Sequence, residues 1–159
     1  MDKSSFGDGP WQSEPDKEQW VDPKTGLSCI LRRNNSGALC GYVGVPEGHP
    51  WYMKGYPNID AVVHGGLTFA GRCQKGEHAI CHVVEPGEPD NVWWLGFDCA
   101  HGFDYLPALN SDRMPLIQEL SDYRDVKYVK QQCARLAKQV LDARNDGGQK
   151  YDETETNDP

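Results

Sequence analysis

Residues 27–45 read LSCILRRNNSGALCGYVGV, with apolar, β-branched and aromatic residues on both sides of Asn34-Asn35-Ser36-Gly37. An Asn/Gly cluster between two such runs is typical of a β-hairpin, because these residues accept the backbone conformations of a tight turn. The pattern predicts strands over Leu27–Arg33 and Ala38–Val45. On this hairpin Cys29 and Cys40 could come close, in a register that the pattern defines only to within one residue.

Two further segments have strand character. Val62-Val63-His64 and Leu67-Thr68-Phe69 surround Gly65-Gly66, which predicts a strand interrupted by a bulge or a close backbone approach. The stretch from Asn91 to Phe97, NVWWLGF, is apolar and follows the turn-rich EPGEPD, so it predicts a buried strand.

The C-terminal part of the chain has helical periodicity. Apolar residues recur at the spacing of one helix face. Ser121 or Asp122 could cap the start of this helix, and Gly147-Gly148 could end it. Its basic residues lie off the apolar stripe, as on a solvated outer face, although a nucleic-acid-binding helix has the same pattern. The stripe consists of Val126, Val129, Cys133, Leu136, Ala137, Val140 and Leu141.

Strands followed by a helix indicate the α+β class, with a mainly antiparallel sheet packed by a long C-terminal amphipathic helix and disordered termini. The 159 residues suit one domain. We expect a flexible N-terminal arm over residues 1–15, a single α+β domain over residues 16–145 and a disordered acidic tail over residues 146–159. The arm is polar and rich in Ser, Gly, Asp and Pro, and the tail has no aliphatic side chain.

The charge balance excludes some functions. With 16 basic and 24 acidic residues the net charge is −8, which argues against a protein whose main task is to hold nucleic-acid phosphates. The last fifteen residues carry −4 of this charge, so the folded part is only mildly acidic and an anionic small ligand is compatible with it. No apolar run approaches the roughly 20 residues of a membrane span. Without an apolar leader region in the first twenty residues, we expect a cytoplasmic protein.

The six cysteines give no strong metal or redox signal, since none forms a C-x-x-C pair. In the expected compartment they should be reduced thiols. Cys73, His78, Cys81 and His82 have the spacing C-x4-H-x2-C-H, which matches no standard zinc arrangement and is typical of a loop with incidental thiols.

Histidines and aromatic residues concentrate between residues 40 and 105, where all five histidines lie. Such a composition is typical of a small-molecule pocket and equally of an aromatic core. In the segment GYVGVPEGHPWY, a Pro/Gly turn presents His49, Trp51 and Tyr52. His49 could bind a ligand or stabilise its own loop.

The segment Val63–Thr68 places His64 beside Gly65 and Gly66, whose backbone N–H groups could stabilise an anion. A strand bulge that needs small residues is the alternative. The chain has no G-x-S-x-G motif, so the α/β-hydrolase interpretation fails.

The segment WWLGFDCAHGFD is the most specific local signal. Asp98, His101 and Asp104 follow one another at intervals of three after a strand. A carboxylate on one ring nitrogen could orient His101 for general acid–base chemistry, and the three groups could also ligate a divalent metal, although they match no standard metal motif. Alternatively, Asp98 caps a turn and His101 supports the loop. Cys99 could be a nucleophile if a cation lowered its pKa.

These three segments together resemble a family of small, uncharacterised phage and bacterial proteins with the motifs GYVGVP-x-GHP-x-Y, VHGGLT-[FY] and WW-x-GFDCAH-x-GD, followed by a helix that begins with YRD. The resemblance spans about residues 27–142 and implies a shared site and a phage or prophage context, without an established activity. The chain departs from the pattern at Gly102-Phe103, which puts the geometry of Asp104 in doubt.

Two functions from different classes follow. In the first, a hydrolase-like enzyme acts on a polar or anionic small molecule: His64, Asp98 and His101 are catalytic, with His49, Trp51, Tyr52, Gly65, Gly66, Trp93 and Asp104 around the ligand. In the second, a non-catalytic phage-type protein binds a nucleotide-like ligand or a host protein through an aromatic groove. A structural or assembly protein is a third interpretation.

Overall fold

A computed structural model describes residues 1–73, 91–109 and 115–148. Five antiparallel strands form one sheet in the order β1-β2-β3-β5-β4. The strands are β1 (Lys17–Val21), β2 (Ser28–Arg33), β3 (Leu39–Val45), β4 (Phe69–Arg72) and β5 (Trp93–Asp98). A short helix, α1 (Pro115–Glu119), precedes the long helix α2 (Val126–Gly148), and single 3-10 turns lie at Pro10–Gln12, Tyr56–Asn58 and Pro107–Leu109. The predicted α+β class is therefore confirmed.

The predicted hairpin is formed by β2 and β3, and its register separates the two cysteines. Cys29 lies opposite Val43, whereas Cys40 lies opposite Arg32. Because side chains alternate between the faces of a strand, this register places Cys29 and Cys40 on opposite faces of the sheet. They pack in different apolar clusters, and the expectation that they come close is wrong.

The strand predicted around the paired glycines is wrong in its first half. The Gly66 N–H donates to the Val63 carbonyl at 2.9 Å, and both glycines have positive φ, 63° at Gly65 and 83° at Gly66. These conformations form a turn, since only glycine adopts them at little cost. The strand begins after the turn, at Phe69.

Helix α2 buries the predicted stripe against the sheet. Val129, Cys133, Leu136, Ala137 and Val140 are buried in the main core with residues of β2, β3 and β5. At Gly41 of β3 the helix and Phe97 of β5 come so near that a Cβ would overlap the Phe97 ring and lie 2.7 Å from the Cys133 sulfur. Close packing of the helix on the sheet therefore depends on a residue without a side chain.

The start of α2 differs from the prediction. Its cap is Asp125, whose Oδ1 accepts the Tyr128 N–H at 2.8 Å, and not Ser121 or Asp122. The Val126 N–H donates to Glu14 Oε1 at 3.1 Å, so a carboxylate from the N-terminal arm also satisfies the helix end.

The arm over residues 1–15, expected to be flexible, packs against the domain. Phe6 and Trp11 are both 5% exposed, and the Trp11 ring stacks on Tyr105 with 5.3 Å between ring centroids. The average composition of residues 1–15 is polar and therefore does not indicate that these two aromatic side chains are buried. At the other end, α2 includes residues 146–148, and the rest of the predicted acidic tail lies outside the described residues.

Among the described residues, Cys29, Cys40, Cys99 and Cys133 are buried and have free thiols. Cys73 is disulfide-bonded, so the expectation of reduced thiols is wrong for this residue. The other three residues of its proposed metal-like pattern lie outside the described residues. Within the described ranges, no helix combines the length and apolar character needed to cross a bilayer.

Replacement of Gly41 by alanine should destabilise the domain by about 1–3 kcal/mol, because the added methyl group overpacks the contact between α2 and the sheet. Urea unfolding measures this loss. Gly102→Ala is the matched control, since a Cβ there meets nothing within 4 Å, and it should change stability by less than about 0.5 kcal/mol. Equal stability of the two variants would contradict the proposed close approach.

Contacts between the N-terminal arm and Asp16 should also make the stability of the fold depend on pH. Burial by itself raises the pKa of Asp16, but hydrogen bonds from Lys3 and Arg33 outweigh it and lower the pKa to about 2. Asp16 therefore stabilises the fold above its unfolded pKa of about 3.9, and this contribution disappears as the pH falls toward 2. Asp16→Asn should cost about 1–2 kcal/mol at neutral pH, after allowance for partial exposure.

Unfolding curves of both proteins between pH 7 and pH 2 test this. The difference between wild type and Asp16→Asn should shrink below pH 4. A difference that stays constant to pH 2 would show that the Asp16 carboxylate carries no such linkage.

Candidate active site

His64 lies between a carboxylate and a phenol. Its Nε2 is 2.7 Å from Asp104 Oδ2, and its Nδ1 is 2.8 Å from the Tyr128 hydroxyl. An ionised carboxylate only accepts hydrogen bonds, so Nε2 carries the proton shared with Asp104, and neutral His64 accepts the Tyr128 O–H at Nδ1. Asp104, His64 and Tyr128 thus form one hydrogen-bonded chain.

Asp104 is the buried anchor of this chain, with a side chain 2% exposed. Besides His64, its carboxylate accepts the His101 backbone N–H at Oδ2 and the Arg124 Nε–H at Oδ1, each at 3.0 Å. Burial alone would raise the pKa of Asp104, but the hydrogen bonds from His64, His101 and Arg124 lower it below its ordinary value. Asp104 is therefore a permanent anion at neutral pH.

Helix α2 holds the loop that carries His64. The Gln139 amide makes two hydrogen bonds with the Val62 backbone, at 2.7 Å and 2.8 Å. Gln132 Oε1 accepts the His64 N–H at 3.0 Å. Since Tyr128 and Gln132 are four residues apart, they lie on one helix face. The same face that supplies the phenol thus fixes the backbone of the histidine that it contacts.

Arg124 adds a positive charge beside the phenol. Its guanidinium carbon lies 4.9 Å from the centroid of the Tyr128 ring, within the range of a cation–π interaction. Burial raises the pKa of Tyr128, and the charge of Arg124 acts in the opposite direction. Tyr128 therefore holds its proton at neutral pH, while a phenolate formed there would be partly stabilised.

Asp98 and His101 form a second histidine–carboxylate pair. Asp98 Oδ1 lies 3.6 Å from His101 Nε2 and accepts the Ala100 N–H at 3.0 Å, so Asp98 also caps its turn. The His64 and His101 rings are 5.5 Å apart. His101 Nε2 is buried without a hydrogen-bond partner in the described part of the chain, although the side chain is 37% exposed.

Gly65 lies against this second pair. A Cβ at Gly65 would overlap His101 at Nε2, whereas one at Gly66 would meet nothing within 4 Å. The turn restricts the predicted role of the two glycine N–H groups as hydrogen-bond donors to an anion, because the Gly66 N–H already donates to the Val63 carbonyl. In this geometry the absence of a side chain at Gly65 allows the His101 ring to approach the His64 loop.

The remaining predicted ligand-binding residues lie elsewhere. His49 is 6% exposed; its Nε2–H donates to the Val140 carbonyl at 2.7 Å, and its Nδ1 accepts the Trp51 N–H at 2.9 Å. Val140 and Tyr128 are twelve residues apart on α2, which corresponds to about 18 Å along the helix. His49 and His64 therefore do not share one reacting centre, and His49 stabilises its own loop.

Tyr52 and Trp93 are placed with His49 rather than with His64. Their ring centroids are 6.4 Å apart, the Arg72 guanidinium carbon lies 5.9 Å from the Tyr52 ring, and Trp93 Nε1–H donates to the Lys54 carbonyl. Trp93 begins β5 and Asp98 ends it, so about 17 Å of strand separates them. The structure thus divides the single predicted groove between two ends of β5.

Two other proposed chemistries find no support in the geometry. Burial raises the pKa of the Cys99 thiol well above its ordinary value, which argues against a nucleophilic thiolate. Among the described residues, no group of three or more His, Cys, Asp and Glu side chains could hold a metal ion.

The sequence interpretation missed Arg124, Tyr128 and Gln132. Their common spacing of four residues was a usable signal, since it predicts one polar face beside the apolar stripe of the helix. Nothing in the linear sequence connects that face with His64, which is 64 residues away from Tyr128.

No protein-family model matches the chain, and searches of curated proteins and of solved structures likewise find no match. The resemblance to the phage and bacterial family stays an expectation, and the functional argument rests on the geometry of the site.

Gly65→Ala should disturb the site and Gly66→Ala should not. Both positions have positive φ, so each substitution costs about 1–2 kcal/mol for the backbone alone. Gly65→Ala should cost about 1–3 kcal/mol more because of the overlap with His101. Urea unfolding gives the energies, and NMR signals of the His101 ring should shift only in Gly65→Ala. Indistinguishable variants would contradict the packing of His101 on Gly65.

Proposed function

We propose that this protein is a small hydrolase-like enzyme that acts on a polar or anionic small molecule through the Asp104–His64–Tyr128 chain. The observation that supports the proposal is the unbroken line of hydrogen bonds from a buried carboxylate to a phenol. A carboxylate that fixes a histidine tautomer, with a hydroxyl on the other ring nitrogen, is an arrangement suited to general acid–base catalysis. We propose that Tyr128 takes part in acid–base catalysis together with the histidines.

In the proposed reaction, the Tyr128 oxygen accepts a proton from a water molecule while its own proton passes to His64 Nδ1. The water oxygen forms the new bond to the electrophilic centre of the substrate. Asp104 stabilises the imidazolium that results, and Arg124 lies over the ring of the reacting phenol. The leaving group takes a proton from His101. The proton held by His64 then returns through Tyr128 to solvent while His101 regains a proton, so the site ends in its starting state.

His101 is the second acid–base group of the proposal. Asp98 lies on the Nε2 side of its ring, which leaves Nδ1 as the nitrogen for a ligand. The 5.5 Å between the two histidine rings is short enough for both to serve one reacting centre. In this role His101 protonates the leaving group as Tyr128 and His64 activate the water.

An assay with chromogenic aryl esters that carry a carboxylate and with chromogenic aryl phosphodiesters tests the proposal. Tyr128→Phe removes the hydroxyl and keeps the ring, so kcat should fall by about 10²-fold or more with little change in stability. His64→Gln should cause a similar loss. Tyr56→Phe is the control, because Tyr56 lies in the exposed 3-10 turn and is not part of the Asp104–His64–Tyr128 hydrogen-bonded chain. Full activity of Tyr128→Phe, or no turnover of any substrate class by wild type, would refute the proposed chemistry.

The second candidate is a non-catalytic protein that binds a planar ligand or a host protein. Its supporting observation is the group formed by Tyr52, Trp93 and Arg72, since neighbouring aromatic rings and a guanidinium suit a nucleotide-like ligand. Mass spectrometry of co-purifying small molecules tests it. A ligand lost on Tyr52→Ala and retained on Tyr128→Phe would favour binding over catalysis.

The proposal includes a cytoplasmic setting, which is the host cytoplasm if the protein is phage-encoded. The buried free thiols of Cys29, Cys40, Cys99 and Cys133 support this setting, and the disulfide at Cys73 does not.

A further inference from the structure

We infer that Arg124 is the substrate-binding cation of this site and that the substrate carries a singly charged two-oxygen group, either a carboxylate or a phosphodiester. The inference rests on the proposed function, because it takes Tyr128 as the reacting group. It adds the class of substrate that the site selects.

The guanidinium of Arg124 is only partly used inside the protein. Its Nε–H donates to Asp104, and its Nη2 lies 3.7 Å from Asp122 Oδ2, beyond hydrogen-bond distance. Nη1 has no hydrogen-bond partner among the described residues. The side chain is 26% exposed, so a ligand can reach it. A guanidinium with unused donors on its outer edge is suited to bidentate recognition of two coplanar oxygens.

The position of Arg124 connects this binding edge with the proposed chemistry. Its guanidinium lies over the Tyr128 ring, and its Nε is fixed by the same carboxylate that fixes His64. Asp104 therefore sets the relative placement of the cation and the proton-transfer chain. An anion on the outer edge of Arg124 would be held next to the phenol.

The local charge favours a singly charged group. One guanidinium faces two carboxylates, and Asp104 cannot be screened by water because it is buried. The charge of Asp122 is reduced by solvent, since its side chain is 77% exposed. Because Arg124 is already paired with the Asp104 carboxylate, a dianion such as a phosphate monoester would meet more repulsion at this site than a monoanion would.

NMR titrations at constant ionic strength test this, with acetate and dimethyl phosphate as the monoanionic probes and inorganic phosphate and chloride as comparisons. The Arg124 Nε–H signal should shift in a saturable manner with a millimolar dissociation constant for at least one monoanion. The probe that binds more tightly distinguishes a carboxylate from a phosphodiester substrate. Tighter binding of inorganic phosphate at pH 8, or shifts no different from those caused by chloride, would overturn the inference.

Variants separate this result from the proposed function. Arg124→Lys keeps a cation for Asp104 but loses the planar fork, so monoanion binding, followed by the His64 signals, should weaken about tenfold in a folded protein. Arg144→Gln removes a guanidinium far along α2 and should leave binding unchanged. Tyr128→Phe should bind the probe normally. If Arg124→Lys binds like wild type, the inference is wrong whatever the activity; if binding depends on Arg124 and the enzyme is inactive, only the proposed catalysis fails.

Discussion

The buried guanidinium of Arg33 joins the parts of the chain that are far apart in sequence. Its side chain is fully buried, and it donates to Asp16, Glu14, the Gly37 carbonyl and the Tyr123 hydroxyl. A buried charge is tolerated only when it is well paired, and removal of one partner of such a pair typically costs about 3–5 kcal/mol. The N-terminal arm, the hairpin turn and the approach to α2 are therefore fixed by one residue of β2.

This constraint reaches the candidate site through Glu14. The Glu14 carboxylate accepts from Arg33 and from Tyr123, and it also accepts the first N–H of α2 at Val126. These contacts thus define the start of the helix independently of the packing of its apolar stripe on the sheet. Arg124 lies just before this helix start, and Tyr128 and Gln132 lie in the turns that follow it. The same contacts therefore help to determine which polar side chains face the His64 loop. The N-terminal arm therefore helps to position the side chains of the candidate site.

The sequence predicted those features that depend on neighbouring residues. The hairpin, β5 and α2 follow from local periodicity, and the Asp98–His101 pair follows from a spacing of three residues. The failures have a common cause in tertiary structure. Residues 1–15 are polar on average, yet Trp11 finds an aromatic surface from Tyr105 and Tyr123, which lie over ninety residues away. Proximity in sequence groups His49 with His64, but their contacts on α2, at Val140 and Tyr128, lie about 18 Å apart along the helix.

The departure from the family-like pattern at Phe103 raised doubt about Asp104, and the structure explains why the two are compatible. The Phe103 side chain is 69% exposed, and the contribution of this residue to the site is its backbone carbonyl, which accepts the Asp122 N–H at 2.9 Å. Any residue can supply that carbonyl. Asp104 is positioned by its own turn, since its N–H donates to the His101 carbonyl while its carboxylate accepts the His101 N–H. Glycine is therefore not required at position 103, and the geometry of the buried carboxylate is independent of that exchange.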